Sequence, residues 1–226
     1  MDDVREEPVF SGTAGAVAED DPDGVWGEPA LADASAADPA RERRKTWLGE
    51  QWANARPKAR IGMFILLSAF SGLAAILCAI LKASPGYGIL MFVVAAPVAE
   101  EMAKTMLPLM VLEKRPWLFG SHSSIVFVGL LSGAVFASVE NVLYFFVYIP
   151  AAKLTFGIVL WRLIVCTAMH VGCTMLACGG LARAWSRARE ACGEFKMAVA
   201  LPWLIAAMVI HGVYNLGAFI YAVASR

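Results

Sequence analysis

The sequence predicts an all-α protein, a polytopic transmembrane helix bundle of about five spans that follows a disordered N-terminal tail. Hydrophobic residues make up 59% of the 226 residues and charged residues only 17%, whereas a soluble domain carries about 45–50% and about 25%. The excess of apolar residues begins at Ile61, and short polar links separate the apolar runs that follow. Both observations predict several membrane spans joined by short connections.

The polar N-terminal part divides into two predicted regions. Residues 1–44 are rich in Ala, Asp, Glu, Gly and Pro, and such a segment cannot bury enough apolar surface to offset its ordering entropy. We therefore predict a disordered acidic cytoplasmic tail over 1–44. Residues 45–60 place two tryptophans among basic residues, which is typical of a segment at the membrane surface. The remainder, 61–226, is predicted to form the transmembrane domain.

Each predicted span is long enough to cross about 30 Å of hydrocarbon at about 1.5 Å per residue. The predicted spans cover residues 61–81, 88–112, 124–149, 157–183 and 198–223. Lys and Arg concentrate before the first span and after the second and fourth, whereas the other side has only Lys82, Lys153 and Arg226. By the positive-inside rule, we predict a multi-pass cell-membrane protein with its N-terminus cytoplasmic and its C-terminus outside.

Polar and ionisable residues interrupt four of the predicted spans. They are Glu100, Glu101 and Lys104 in span two, Glu140 and Asn141 in span three, Arg162 and His170 in span four, and His211 and Asn215 in span five. Such residues are costly in lipid and usually face the bundle interior, so each is a functional candidate. At the rise of an α-helix, Glu100, Glu140, His170 and His211 all lie roughly 13–20 Å below the outer surface. We therefore predict that they line one cavity.

Local spacing refines this prediction. Adjacent glutamates on a helix point about 100° apart, so one can pair with Lys104 while the other faces a cavity. Pro97 lies one turn before Glu100 and removes a backbone donor, which can open the helix beside the acid. Arg162 lies toward the outer end of its span, where its side chain can reach the membrane interface.

Several intramembrane chemistries are excluded. No aspartate follows Asp38, so an aspartyl dyad within the membrane is impossible. Neither His170 nor His211 is followed by glutamate, so the His-Glu-x-x-His signature of helical zinc proteases is absent. Ser132 and Gly133 are preceded by two leucines, which does not fit the Gly-x-Ser-Gly of a rhomboid-like serine site.

Carboxylate and imidazole chemistry remains. A buried glutamate can act as a general base on water, and histidine or asparagine can stabilise the oxyanion formed at a peptide carbonyl. Alternatively, Glu140, His170 and His211 can bind a single divalent metal ion such as zinc, because two histidines and a carboxylate leave an open fourth position. The sequence permits both arrangements.

A function from another class also fits the midplane cluster. Glu, His and Lys at this depth suit a proton-coupled carrier or an ion-conducting membrane protein. Such carriers often contain internal repeats, and none is recognisable in this sequence. Nothing in the sequence indicates a nucleic-acid partner, and it does not define the oligomeric state.

Four motifs in order resemble those of the PrsW family of intramembrane proteases, within the CAAX-endoprotease and bacteriocin-processing group. Glu100-Glu101-Met102-Ala103-Lys104 resembles the family's Glu-Glu-x-x-Lys motif, and Phe136 to Asn141 contains its Phe-x-x-x-Glu motif. His170 and His211 match its two histidine positions, and His211 to Asn215 resembles the group's His-x-x-x-Asn motif. The resemblance covers roughly residues 61–223.

The resemblance implies an intramembrane endopeptidase that hydrolyses peptide bonds of a membrane protein or peptide within the lipid bilayer. Glu100 would activate the water, and Glu101 and Lys104 would shape the site. Glu140 and His170 would orient the water or bind the metal. The remaining expected site residues are His211 and Asn215, which would stabilise the oxyanion, and Asn141, which would support the site.

Overall fold

The computed structural model describes residues 39–54, 57–82, 88–191 and 195–224, and every regular element within these ranges is helical. The α-helices are α1 (Pro39–Asn54), α2 (Pro57–Lys82), α3 (Ala96–Lys114), α4 (His122–Leu143), α5 (Phe156–Trp161), α6 (Thr167–Ala191) and α7 (Met197–Ala224). Three π-helical turns, Met91–Ala95, Tyr144–Tyr148 and Arg162–Cys166, adjoin α3, α4 and α6, and short 3₁₀ turns cover Pro116–Leu118 and Ala151–Lys153. The predicted all-α fold is confirmed.

Within these residues, four helical segments are long and apolar enough to cross a membrane. They are Arg60–Cys78, His122–Tyr148, Phe156–Ala191 and Met197–Ala224, which correspond to predicted spans one, three, four and five. The second predicted span corresponds to α3 and the π-helical turn before it. There the buried Glu100, Glu101 and Lys104 lower the apolar character of the helix. The polytopic bundle of about five spans is thus confirmed, with α3 as its polar member.

The helix α1 packs against one end of the bundle. It begins at Pro39, so the last residues of the predicted tail are helical, while residues 1–38 and the prediction made for them lie outside the described residues. Leu48 is buried, and the Trp47 ring meets Trp117 edge to face with 5.1 Å between ring centroids. The predicted juxtamembrane segment therefore contacts the link between α3 and α4.

Small residues bring α4 and α6 into close backbone contact. A Cβ added at Gly133 would stand 2.8 Å from the Val171 Cα and 2.9 Å from the His170 carbonyl oxygen. At Gly129 it would stand 2.9 Å from the Thr174 carbonyl oxygen. Because no larger side chain fits at these two positions, the glycines fix the distance between the helices that carry Glu140 and His170.

Pro97 explains the π-helical turn before α3 and the way α7 docks on it. The proline nitrogen cannot donate, so it leaves Val93 without its α-helical donor and Phe92 without its π-helical donor. Asn215 fills the second gap, because its Nδ2 donates to the Phe92 carbonyl at 3.0 Å. Gly212 lets α7 approach the Val93 carbonyl closely, since a Cβ at this position would stand 2.5 Å from the carbonyl oxygen.

A second proline in α3 is compensated from α4. Pro108 cannot donate to the carbonyl of Lys104, four residues earlier. The buried Ser132 hydroxyl donates to that carbonyl at 3.1 Å and lies 2.6 Å from the Ser71 hydroxyl. Side chains from α4 and α2 thereby satisfy a buried carbonyl of α3 and hold the three helices together next to Lys104.

Candidate active site

The polar residues of four different helices meet in one buried cluster. Glu100 and Glu101 on α3 are fully buried, and the side chains that face them are almost as inaccessible. These are Lys104 on α3, Glu140 on α4, His170 on α6 and His211 on α7. The structure thus brings together all four residues that the sequence placed at a common depth.

Glu101 connects three helices through its carboxylate. Its Oε1 accepts a hydrogen bond from Lys104 Nζ at 2.6 Å and lies 2.9 Å from His211 Nδ1. The Thr174 hydroxyl of α6 contributes a longer bond of 3.4 Å to Oε2. Of the two adjacent glutamates, Glu101 is therefore the partner of Lys104.

His170 lies between an acceptor and a donor. Its Nε2 is 2.8 Å from Glu140 Oε2, and its Nδ1 is 3.1 Å from Lys104 Nζ. A carboxylate only accepts hydrogen bonds and an ammonium group only donates them. Both neighbours therefore favour the tautomer that carries its proton on Nε2, with the lone pair of Nδ1 turned toward Lys104.

His211 has the opposite arrangement. Its Nδ1 donates to Glu101, which leaves the lone pair on Nε2, and this nitrogen lies 3.6 Å from Glu100 Oε2. The two imidazole rings meet edge to face, with 4.9 Å between their centroids and 89° between their planes. Each histidine is thus held on one nitrogen by a glutamate, and its second nitrogen carries a lone pair. That lone pair faces Lys104 in His170 and Glu100 in His211.

Glu100, His170 and His211 can hold a metal ion between them. Each offers one ligand atom, and these atoms all lie within 4.8 Å of one another. Ligand atoms around a tetrahedral zinc ion stand about 3.3 Å apart, because each lies about 2.0–2.1 Å from the metal. The set would therefore have to contract around an ion, and His170 Nδ1 would have to exchange its 3.1 Å contact with Lys104 Nζ for the metal. Two imidazoles and a carboxylate are donors that zinc accepts in catalytic sites.

Glu140, which the sequence analysis grouped with the two histidines as metal ligands, occupies a different position from Glu100. Its Oε2 accepts from His170 Nε2 and from the Arg162 guanidinium, at 2.8 and 2.9 Å. Glu140 therefore stands behind the His170 ring, on the side away from Lys104. This is the place of a carboxylate that orients a metal-bound histidine.

The two asparagines support the helices around the cluster. Asn141 accepts from Arg162 Nε at 3.0 Å and donates to the Thr167 hydroxyl at 3.1 Å. Asn215 uses its amide nitrogen on the Phe92 carbonyl, at the turn that precedes α3. Both side-chain amides therefore form hydrogen bonds with residues of neighbouring helical segments.

Two residues of the site differ from the sequence prediction: Thr174 was not a candidate, and Arg162 was a candidate whose side chain was expected to reach the interface. Arg162 turns inward to Glu140, although its position toward the outer end of the span suggested a side chain reaching the interface. Thr174 lies four residues after His170, and this helical spacing was a signal that could have placed it on the same face. Nothing in the sequence indicated that Arg162 faces Glu140.

The family model that matches this chain is that of the PrsW family intramembrane metalloprotease, over residues 57–225. The chain belongs to the PrsW family. Membership assigns it the general activity of an intramembrane peptidase, with membrane proteins in a lipid bilayer as the class of substrate. Searches of curated proteins and of solved structures gave no match.

The matched region contains the whole buried cluster and all the helices that form it. In this PrsW protein, the four motifs singled out in the sequence lie on α3, α4, α6 and α7, and their acidic and imidazole side chains are buried. The word metalloprotease in the family's description agrees with the ability of Glu100, His170 and His211 to hold an ion.

Proposed function

We propose that this PrsW protein is an intramembrane endopeptidase in which Glu100, His170 and His211 bind one divalent metal ion, zinc in the first instance, and activate the attacking water there. The observation that carries the proposal is the mutual approach of these three buried side chains to within 4.8 Å. A bound divalent ion would supply Lewis acidity, which polarises the peptide carbonyl and lowers the cost of forming hydroxide.

The remaining acidic residues act by orientation in this proposal. Glu101 holds His211 through Nδ1, and Glu140 holds His170 through Nε2. His211 Nε2 and His170 Nδ1 remain as the ligand nitrogens, and Lys104 would have to release His170 Nδ1 when the ion binds. Lys104 balances the charge of Glu101 within the fully buried pair. Asn215 holds the start of α3 through the Phe92 carbonyl, and we assign it a positioning role.

Metal analysis combined with chelation tests this proposal. Protein purified in detergent is expected to contain about one zinc ion per chain, as a single three-residue site requires. Removal of the ion by a chelator should abolish cleavage of single-span reporter peptides in proteoliposomes, and added zinc should restore it. The control is the same chelator presaturated with zinc, which should have no effect.

Full activity in metal-free protein would contradict metal-dependent catalysis. It would instead assign the activation of water to a glutamate acting alone as general base, with Glu100 as the first candidate. The chelation experiment therefore separates the two mechanisms that the sequence permits.

We also infer that α1 and the α3–α4 link face the cytoplasm and that the end of α7 lies outside. Two contacts support the placement of α1, the α3–α4 link and the basic end of α6 on the same side of the membrane. Trp185, near the basic end of α6, donates to the Pro116 carbonyl at 3.1 Å, and Trp47 of α1 contacts Trp117. Basic residues in short links mark the cytoplasmic side.

Reporter fusions check this orientation. Alkaline phosphatase fused after Ala224 should be active, because the enzyme matures only outside the cytoplasm, and the same reporter inserted after Arg115 should be inactive. The two fusions serve as controls for each other. The reverse pattern would invert the orientation, and activity at neither or both positions would mean that the number of spans is wrong.

A further inference from the structure

Arg162 is a partly buried cation that the proposed chemistry does not use. It opens the π-helical turn Arg162–Cys166 in front of α6, and only 11% of its side chain is exposed. The guanidinium carbon lies 3.5 Å from the centroid of the Tyr144 ring, so the planar group is stacked on an aromatic face. A charge in this position requires fixed partners, because it is removed from water.

Its partners are the two polar residues at the end of α4. Nη2 donates to Glu140 Oε2 at 2.9 Å and Nε donates to Asn141 Oδ1 at 3.0 Å. Asn141 in turn donates to the Thr167 hydroxyl, which itself donates to the Arg162 carbonyl at 3.2 Å. Two donors on one rigid guanidinium thus define the position of adjacent side chains on a neighbouring helix.

The oxygen that Arg162 binds is the oxygen that binds His170. Glu140 Oε2 accepts from both the guanidinium and His170 Nε2. The guanidinium holds this oxygen in place beside His170 Nε2. An ionised carboxylate can only accept, so the oxygen held there favours the proton of His170 on Nε2. Arg162 therefore influences the protonation of the two His170 nitrogens indirectly, through the oxygen of Glu140 that both side chains share.

We propose that Arg162 is a positioning residue that acts through Glu140 to hold His170 in the tautomer with its proton on Nε2, which leaves the lone pair of Nδ1 as the one that a metal ion would use. This role rests on the proposed function, because it gives the Arg162–Glu140 pair a purpose in zinc binding. The orientation of His170 is nevertheless a property of the metal-free protein, and it can be measured without substrate or metal.

Nitrogen-15 NMR of protein labelled on histidine provides that measurement. The chain has three histidines, and His122→Gln and His170→Asn assign their signals. Wild-type protein should show His170 as a single tautomer with its proton on Nε2. Arg162→Gln and Arg162→Met should both give a second set of His170 signals and bind zinc about 10–100-fold more weakly, the usual effect of removing an orienting partner. In Arg162→Met, the methionine side chain can still cover the Tyr144 ring, so this variant should fold although it lacks the two hydrogen-bond donors of the guanidinium.

Two further variants define the outcome. Arg162→Lys keeps a charged donor for Glu140 and should restore the single tautomer. Arg183→Gln is the matched control, because Arg183 also stacks on an aromatic ring, Trp203, at 3.8 Å, and should leave His170 unchanged.

Unchanged His170 signals in the folded Arg162→Gln or Arg162→Met protein would overturn the proposal, whatever the zinc affinity. If wild-type protein binds no zinc, the metal-dependent function fails, while the His170 signals still decide the role of Arg162.

Discussion

Glu100→Gln is expected to reduce peptide cleavage by at least about 10²–10⁴-fold, the range associated with loss of a positioned proton acceptor. Glutamine matches the shape of glutamate, but it does not take up a proton and is a weak metal ligand. Because Glu100 is fully buried beside His211, an isosteric replacement should preserve the fold. The measurement is the initial rate of reporter-peptide cleavage in proteoliposomes, together with the zinc content of the same preparation.

Glu113→Gln is the matched control, since Glu113 lies on the same helix but is exposed near its end. It should retain wild-type activity. Wild-type activity in Glu100→Gln would remove Glu100 from the reaction and transfer the search for the base to Glu101 or Glu140. Loss of zinc together with loss of activity would support its role as a ligand.

His170→Ala and His211→Ala should each lower the rate by at least about 10²–10³-fold and remove bound zinc. The double variant should be little slower than either single one, because residues that act as a unit give strongly non-additive losses. Rates and metal content should be measured on monodisperse protein, since each truncation also leaves a space in the buried cluster. His122→Ala is the control, because His122 is an exposed residue at the start of α4.

If the rate of the double variant were reduced by the product of the two single reductions, the result would contradict a single site. Two independent histidine functions would then be required, one on each helix. Retained zinc in His211→Ala would place the ion on other side chains, in the first place on Glu140, which the sequence analysis had included in its metal set.

The common depth of the polar residues was predictable from the sequence. Helical rise alone placed Glu100, Glu140, His170 and His211 in one layer, and four spans in a bundle have few ways to keep such residues away from lipid other than facing one another. The spacing of Glu101 and Lys104 likewise allowed the pair that the structure contains.

The partners within the layer were not predictable, because they depend on helix rotation. The π-helical turns before α3 and α6 change the phase of each helix, and a rotation of one residue exchanges Glu100 and Glu101. Arg162 lies within such a turn, so its depth suggested the interface while its direction was undefined. Asn215 pairs with a carbonyl that becomes available through Pro97, a relation between two distant helices that spacing does not reveal.

The polar character of α3 has a consequence for how the protein is made. Each charged residue at the centre of a helix raises the free energy of membrane insertion by about 2.5–3.5 kcal/mol. The helix α3 alone should therefore partition poorly into lipid. Its partners are translated much later: His170 follows Lys104 by 66 residues, and His211 follows Glu101 by 110. A nascent chain must therefore keep α3 against the insertion machinery, or against α2, until α6 and α7 arrive. Insertion of α3 is then completed by the same contacts that build the buried cluster, and a chain released early would lack both.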